Sequence, residues 1–186
     1  MIDRDALLQA AERVIARDGS GASLESIALE AGVTKPIVYA RVGSRAELSN
    51  ALAGRLAERL IAAAGVEITN GSLLDRATLA AFFRTSLDTI GANRELFLYV
   101  TRGAGDDTPE RTLYLAGRSA GPLAELLSGW RTRQGHDASV AMPWAYAIIG
   151  MLNLVSLWWI EESDRSAQVL ADQLAELVWS GLEAGT

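Results

Sequence analysis

Apolar residues recur at intervals of three and four along most of this chain, which is the spacing of amphipathic α-helices. The first such segment covers residues 5–18, and its apolar positions share one helical face: Leu7, Leu8, Ala11, Val14 and Ile15. No stretch shows the strict alternation of apolar and polar residues that marks a half-buried strand. The pattern therefore predicts an all-α fold.

Glycine and hydroxyl residues divide this pattern into separate helices. Glycines that can adopt the left-handed conformation and stop a helix follow three segments: Gly19, Gly32 and Gly43. Hydroxyl residues suited to starting a helix precede others: Ser23, Thr34, Ser44 and Thr108. Ser44 also has the spacing of a capping box with Glu47. The predicted helices cover residues 5–18, 24–31, 35–42, 45–64, 75–92, 94–102, 109–134, 138–162 and 165–183. A loop is predicted at 70–72, and Gly121-Pro122 is expected to kink or divide its helix.

The segment Leu24–Leu48 carries the most informative pattern. Its two short helices are joined by a tight turn at Gly32, as in a helix-turn-helix, and the small Ala28 allows the helices to approach closely. The second helix is expected to present these residues towards the outside or its flanks: Thr34, Lys35, Pro36, Ile37, Tyr39, Ala40 and Arg41. A helix of this kind enters the DNA major groove and reads base edges with its N-terminal residues.

The charge of the whole chain argues against nucleic-acid binding, whereas the local charge favours it. The net charge is −6, and DNA-binding surfaces are usually basic. Between Val33 and Ala46, however, the ionisable residues are Lys35, Arg41 and Arg45, without an acid. Acids further away than a Debye length of about 8–10 Å are largely screened, so this basic segment can dock against a duplex.

Composition and motifs argue against an enzyme, a metal site and a resident cofactor. The chain has no cysteine and a single histidine, His136, so thiolate and histidine-based metal sites are not expected. Residues 117–121, Gly-Arg-Ser-Ala-Gly, match the nucleophile elbow of serine hydrolases, but that motif needs a preceding strand, which this helical pattern lacks. A phosphate-binding Gly-Lys-Ser/Thr loop is also missing from the sequence.

The helix-turn-helix segment resembles the DNA-binding domain of the tetracycline-repressor (TetR) family. Ser23–Ala28, Ala31–Tyr39 and Gly43–Leu48 carry the resemblance, which covers about residues 5–55 with the preceding amphipathic helix. It implies a three-helix DNA-binding domain at 1–48 that continues into a linking helix over 45–64. It also implies a larger helical domain at 49–186 for ligand sensing and dimerisation.

The resemblance further implies roles for individual residues. Thr34, Lys35 and Tyr39 stand where the family contacts DNA, and Tyr39 commonly contacts a phosphate there. Arg45 and Ser23 stand where family members approach the phosphate backbone. The alternative roles are a core aromatic for Tyr39 and ordinary surface charges for the cations.

Physical chemistry suggests how these side chains would act on DNA. Lys35, Arg41 and Arg45 would attract phosphates in a salt-dependent way, while Pro36 and Ile37 suit contact with a thymine methyl group. The chain departs from the family pattern at Pro36 and around Arg41, so the resemblance does not identify its base contacts.

The uncharged run at 138–160 has two interpretations. Its length is sufficient for a transmembrane helix, but it contains Pro143 and Asn153 and lacks a basic flank after it. The resemblance instead implies that the helices near 138–162 and 165–183 pair with their counterparts in a homodimer. No membrane association is therefore expected.

Aromatic residues of the larger domain are candidates for an effector site, because small-molecule pockets are mostly apolar with few polar groups. Asn153 stands out, since a buried amide needs hydrogen-bond partners. The residues expected to bind the effector are Phe83, Phe97, Trp130, Trp144, Tyr146, Asn153 and Trp158. A wider pool also holds Phe82, Leu87 and Tyr99, and core packing is the competing role of each. Arg102 or Arg118 is able to pair with an anionic ligand, but the pool favours a lipophilic one.

These observations predict a ligand-responsive transcriptional regulator. It would bind a near-palindromic DNA operator as a homodimer, with recognition helices about 34–36 Å apart. The aromatic pool favours a small lipophilic effector, and the resemblance implies that this effector releases the protein from DNA and that the protein is a repressor. The first residues lack the order of a signal peptide, and the cytoplasm is the expected location. The alternative is a helical interaction or membrane-associated module without specific DNA binding.

Overall fold

Helices account for all regular structure in the residues that the computed structural model describes, 2–69, 74–102 and 109–184. Their bounds are α1 Arg4–Asp18, α2 Leu24–Glu30, α3 Lys35–Val42, α4 Arg45–Thr69, α5 Arg76–Ala92, α6 Arg94–Arg102, α7 Pro109–Arg133, α8 Ala141–Glu162 and α9 Ala167–Ala184. A 3-10 turn, Gly19–Gly21, lies between α1 and α2. The prediction of an all-α fold is confirmed.

Most predicted helix boundaries agree closely with the observed ones, because caps and stops act within a few residues. The exception is α4, which continues to Thr69 instead of ending at residue 64. Its predicted end lies just before Gly65, but a glycine inside a helix costs only about 1 kcal/mol. The loop predicted at 70–72 and the start signal at Thr108 lie outside the described residues.

A proline lies inside α7 without interrupting it. The helix runs through Pro122, so the expected division does not occur, and the alternative expectation of a kink stays a prediction. An interior proline costs about 3 kcal/mol relative to alanine. Leu123 and Leu127 are 2% and 0% exposed, and burial of such a side chain contributes about 1.5–3 kcal/mol each. Tertiary packing is therefore sufficient to offset the local signal.

Packing divides the chain into two compact units. The first unit contains α1, α2, α3, α4 up to Leu56, and α6. The second contains α4 from Ala57, α5, α7 from Ala116, α8 and α9. The expected domain division at residues 48/49 assigned α6 to the larger domain, whereas α6 packs against α1 in the first unit.

Helix α1 organises the first unit, since it packs against α2, α3 and α6. Leu7, Val14 and Ile15 on its inner face are fully buried. Its N-terminus is capped by Asp3, whose Oδ1 accepts a hydrogen bond from the Ala6 amide at 2.7 Å. These contacts hold α2 and α3 in place against a common core.

The second unit is built around α5, which packs along α9 and against α8. Phe83 and Leu87 of α5 are fully buried there, and α7 adds the fully buried Leu127. This core supports the walls of a cavity, which is described below.

Among the described residues, one helix, α8, is long and apolar enough to span a membrane, judged by length and composition alone. One of its faces lies in the core of the second unit, where Ala145 and Ile148 are buried. Its exposed apolar side chains lie in one row, at multiples of four positions, and form what we call the α8 ridge: Met142, Tyr146, Leu154 and Trp158. Rows at this spacing are the ridges through which helices pack against one another.

Candidate DNA interface and effector cavity

The turn between α2 and α3 has the hydrogen bonds of a Schellman motif. The Val33 amide donates to the Ala28 carbonyl at 2.9 Å, and the Gly32 amide donates to the Leu29 carbonyl at 3.1 Å. Gly32 has a φ of +66°, which glycine adopts without the strain of a Cβ atom. The motif ends α2 and directs the chain into α3 within four residues, as the helix-turn-helix pattern predicts.

Ser23 caps α2, as predicted. Its Oγ accepts a hydrogen bond from the Ser26 amide at 3.0 Å, and the Ser26 Oγ accepts one from the Ser23 amide at 3.0 Å. This reciprocal arrangement is a capping box. The Ser23 hydroxyl is already engaged and partly buried, so a phosphate contact would have to share it.

Helix α3 has a buried face and an exposed face. Val38 and Val42 are buried and attach the helix to the first unit. The predicted contact residues that lie exposed are Thr34, Pro36, Ile37, Tyr39 and Arg41. Tyr39 is 46% exposed, which rules out its alternative role as a core aromatic.

Thr34 precedes α3 but its side chain makes no capping hydrogen bond. The position of the predicted cap is right and its chemistry is wrong. Pro36 has no amide hydrogen to donate, and the Ile37 amide donates to the Thr34 carbonyl at 2.9 Å. The exposed Thr34 hydroxyl is therefore not used to start the helix.

Lys35 forms an ion pair with Glu25 of α2, through Nζ and Oε1. This hydrogen bond raises the pKa of Lys35 and lowers the pKa of Glu25. The Lys35 side chain is 43% exposed and the Glu25 side chain is 64% exposed. The sequence pattern does not indicate Glu25 as the partner, because it lies ten positions earlier, on the preceding helix.

The start of α4 is fixed by two sets of contacts. The capping box predicted for Ser44 and Glu47 is confirmed: the Ser44 amide donates to Glu47 Oε2 at 2.7 Å, and the Glu47 amide donates to Ser44 Oγ at 3.2 Å. The Ser44 amide also lowers the pKa of Glu47. Arg45 Nη2 donates to the Ala22 carbonyl at 3.2 Å, so Arg45 has a structural contact besides its predicted role on DNA.

A cavity of about 330 Å³ lies in the second unit, between α4, α5, α7 and α8. Its size is near the lower limit of small-molecule pockets, roughly 300–1,000 Å³. It is lined by Leu60, Ile61, Ala64, Gly65, Phe82, Ser86, Ser119, Pro122, Leu123, Glu125, Leu126, Ile149, Leu152 and Asn153. Its walls are therefore mainly aliphatic.

Two polar groups on the cavity wall lack hydrogen-bond partners among the described residues: Asn153 Nδ2 and Ser119 Oγ. Asn153 is only 3% exposed, and a buried amide without a partner is unusual. Glu125 is the one ionisable side chain among the described lining residues, and that set contains no cation.

Of the residues expected to bind an effector, Asn153 lines this cavity and the others lie elsewhere in the described structure. Phe97 belongs to α6 and is fully buried in the first unit. Phe83 is buried beside Phe82, with ring centroids 5.3 Å apart, and Phe82 is the one that lines the cavity. One helical position rotates a side chain by about 100°, and sequence alone did not decide between these neighbours.

The remaining aromatic candidates have other neighbours. Trp130 is buried beside a tryptophan of α9, with ring centroids 6.2 Å apart. Trp144 carries the Arg131 guanidinium 4.7 Å from its ring centroid. Tyr146 and Trp158 belong to the exposed α8 ridge. These four residues, which were expected to line an effector site with Asn153, are packed or exposed outside this cavity, and their role towards an effector stays a prediction.

Most residues of the cavity wall are not among those predicted from the sequence. Ser86 is a polar residue between the buried Phe83 and Leu87 of α5, and this was a usable signal. Ser119 is part of the sequence that matches a hydrolase elbow, but it lies inside α7 instead of following a strand. Leu60 and Ile61 of α4 carry no signal that separates a cavity wall from a core.

Two family descriptions match the chain. Residues 72–186 match "Tetracyclin repressor-like, C-terminal domain". Residues 7–52 match "Bacterial regulatory proteins, tetR family". The first match alone spans more than half of the chain, and the second contains the helix-turn-helix.

Individual proteins show the same similarity. The chain is 27% identical over 184 residues to an uncharacterized HTH-type transcriptional regulator of Mycobacterium tuberculosis, covering 96% of this chain and 76% of that protein. FadR from Bacillus subtilis in complex with stearoyl-CoA is similar in fold, with a TM-score of 0.68, 19% identity, and coverage of 95% of this chain and 98% of that one. The TetR family repressor AlkX from Dietzia sp. has a TM-score of 0.68 and 20% identity, covering 97% of this chain and 95% of that one. The chain therefore belongs to the TetR family of transcriptional regulators, whose members bind DNA through a helix-turn-helix and are not enzymes.

Proposed function

We propose that this protein is a cytoplasmic repressor that binds a near-palindromic operator as a homodimer and is released by a small lipophilic molecule. The observation that best supports operator reading is the exposed face of α3, which follows the Schellman turn. TetR membership accounts for DNA binding, and the mode of binding and release is the proposal.

The exposed face of α3 is suited to both parts of DNA recognition. Arg41 and Lys35 supply positive charge for phosphates. Ile37 is 40% exposed and offers an apolar contact to a thymine methyl group, while the Thr34 hydroxyl can bond a base edge or a phosphate. Tyr39 places a hydroxyl beside them for a phosphate.

Exposed apolar residues on α8 and α9 support a homodimer. Besides the α8 ridge, α9 exposes Val169 and Leu177 at 47% and 65%. Two-fold dimers use the same surface on both subunits, so these residues would meet their counterparts. The dimer would place two α3 helices on two half-sites about one turn of DNA apart, roughly 34–36 Å.

Helix α4 supports the proposed release mechanism. Its second half contributes Leu60, Ile61 and Ala64 to the cavity wall, while its first half belongs to the first unit with the helix-turn-helix. A ligand that favours one position of α4 over another would shift the population of DNA-binding dimers.

The test is a selection of genomic fragments. Purified protein is incubated with sheared DNA from its source at about 0.15 M salt, where screening resembles that in the cell, and bound fragments are sequenced. We expect enrichment of one or a few near-palindromic sites. Recovery without any enriched sequence, with weak binding even at low salt, would overturn operator reading by the free protein.

Two variants test whether α3 makes the contacts. Lys35→Ala and Tyr39→Ala should each weaken binding to a selected site. Lys35→Ala should also reduce the slope of log affinity against log salt concentration by about one. Arg76→Ala is the matched control, since this arginine is about half exposed, at 52%, and pairs with Glu176 in the second unit. If Arg76→Ala weakens DNA binding equally, the effect of Lys35→Ala comes from net charge alone.

The alternative function, a helical interaction or membrane-associated module, is favoured by one observation, the length and apolar composition of α8. The two functions differ in a direct assay. Partition into lipid vesicles without duplex binding would support the module, whereas specific duplex binding without partition would support the repressor.

A further inference from the structure

We infer that the molecule bound in the cavity is uncharged and carries a hydrogen-bonding oxygen, such as the carbonyl of an ester or ketone, on a small apolar skeleton. This inference rests on the proposed function, because it names the class of effector that would release the repressor. It is based on the chemistry of the cavity wall, and ligand binding to this wall can be measured without DNA.

The charge of the wall argues for an uncharged ligand. The described lining residues include one carboxylate, Glu125, and no lysine, arginine or histidine. Burial of an ionised ligand group is unfavourable unless a partner of opposite charge replaces its hydration. A fatty-acid carboxylate or a coenzyme A thioester would therefore lose water and meet no cation on this wall.

The arginines considered for an anionic ligand are not available on the wall. Arg118 lies outside the lining set, and its Nη2 is 3.4 Å from Glu58 Oε1. Arg102 belongs to α6 in the first unit. Glu125 is exposed, so it also adds negative charge close to solvent, where it disfavours the approach of anions.

The unpaired groups argue for an oxygen on the ligand. Asn153 Nδ2 and Ser119 Oγ are buried and lack partners among the described residues, and they come from α8 and α7, two of the helices that line the cavity. A buried amide hydrogen without a partner is unfavourable, and an acceptor on the ligand would satisfy it. A carbonyl oxygen can accept a hydrogen bond from the Asn153 amide or from the Ser119 hydroxyl without bringing a charge.

The size of the cavity restricts the skeleton. Its volume of about 330 Å³ is at the low end of the range for small-molecule pockets. Aliphatic side chains and Phe82 make up most of the wall, so the skeleton is apolar and compact.

The experiment compares octanoyl probes of different charge, and propylbenzene serves as an apolar probe without an oxygen. The fluorescence of N-phenylnaphthylamine, a neutral lipophilic dye, reports occupancy of the full-length protein near neutral pH. Methyl octanoate, octanoate, octanoyl-CoA and propylbenzene are then titrated as competitors. We expect methyl octanoate to displace the dye at concentrations at least about ten-fold lower than octanoate or octanoyl-CoA do.

Two variants test the named residues. Asn153→Leu should weaken the binding of methyl octanoate by about three- to ten-fold, which corresponds to the loss of one hydrogen bond. The binding of propylbenzene should not weaken, because it has no oxygen. Because this buried substitution can disturb packing, Glu125→Lys provides an exposed second variant. It should improve the binding of octanoate several-fold relative to that of methyl octanoate.

The inference is overturned if octanoate or octanoyl-CoA competes as well as methyl octanoate, if no neutral probe competes, or if both variants behave as the wild type. Duplex binding measured on the same preparation separates the two proposals. Operator binding with a preference for charged ligands overturns only the inference about the effector. Ester binding without operator binding overturns only the proposed repressor function.

Discussion

At the N-terminal end of α3, the charge of Lys35 has two competing partners. Its ammonium group pairs with Glu25 in the free protein, and the same group is expected to meet a DNA phosphate. Exposed ion pairs contribute little to stability, with a median of about 0–1 kcal/mol. The pair is therefore easily exchanged, and Glu25 reduces the net attraction of this helix end for DNA.

Glu25→Gln should strengthen binding to the operator by a few-fold and make it more sensitive to salt. The substitution removes both the competitor for Lys35 and a negative charge that repels phosphates. The measurement is duplex affinity by fluorescence anisotropy over a salt series. Glu58→Gln is the control, since Glu58 is also exposed and ion-paired, with Arg118, but lies in the second unit.

A double variant identifies the cause of this effect. If Glu25 acts by competing for Lys35, Glu25→Gln should have a much smaller effect when Lys35 is already alanine. Unchanged or weaker binding of the single variant would mean that the ion pair does not limit DNA affinity.

At the scale of the elements, local signals account for most helix ends. Ser23, and Ser44 with Glu47, were predicted as caps and make the expected hydrogen bonds, because capping involves residues only three positions apart. Thr34 fails as a cap because Pro36 removes one of the amides that it would need. Gly32 meets a local requirement of a different kind, because the turn after α2 needs a residue with a positive φ.

Gly32→Ala should destabilise the protein by about 1–2 kcal/mol, a fall in melting temperature of roughly 2–8 °C. A Cβ atom at this position would meet nothing within 4 Å, so the cost comes from the left-handed backbone alone. Thermal unfolding followed by circular dichroism measures it. Gly21→Ala is the control, because a Cβ there also meets nothing within 4 Å and its φ is not positive. Equal melting temperatures for the two variants would contradict this account.

At the scale of the whole molecule, contacts within one chain leave apolar residues of α8 and α9 exposed to solvent. Leu154 and Leu177 are both 65% exposed. Exposed apolar residues that line a helix in a row are more informative than isolated ones, since larger apolar patches mark interaction sites. A second copy of the chain is the occupant that the proposed operator mode requires.

Leu154→Asp and Leu177→Asp should each convert a dimer to a monomer at micromolar concentration. Each change occurs twice in a two-fold dimer, so the loss of association free energy is about 3 kcal/mol or more. Sedimentation velocity measures the change, and circular dichroism confirms that the helices remain. Leu29→Asp is the control, because Leu29 is 83% exposed on α2. A wild-type monomer, or dimers in all three variants, would rule out this interface.

Acid should destabilise the first unit. Arg13 lowers the pKa of Glu30, and the Ser44 amide lowers the pKa of Glu47, both below the usual 4.5. A lowered carboxyl pKa contributes stability above the unfolded value, and this contribution is lost as the pH falls through the folded value. The melting temperature should therefore decline below pH 4.5. Glu47→Gln should show a weaker decline, and an identical pH profile would contradict the assignment.

The sequence by itself determined the helical class, nearly all helix ends and the helix-turn-helix. Periodicity, caps and glycine stops all act within one or two turns, and so they can be read without knowing the fold. Only the tertiary structure decided that Phe82 instead of Phe83 lines the cavity, that α7 continues through Pro122, and that Lys35 pairs with Glu25. These outcomes depend on which side chains of separate helices face each other, and packing between distant segments sets that orientation.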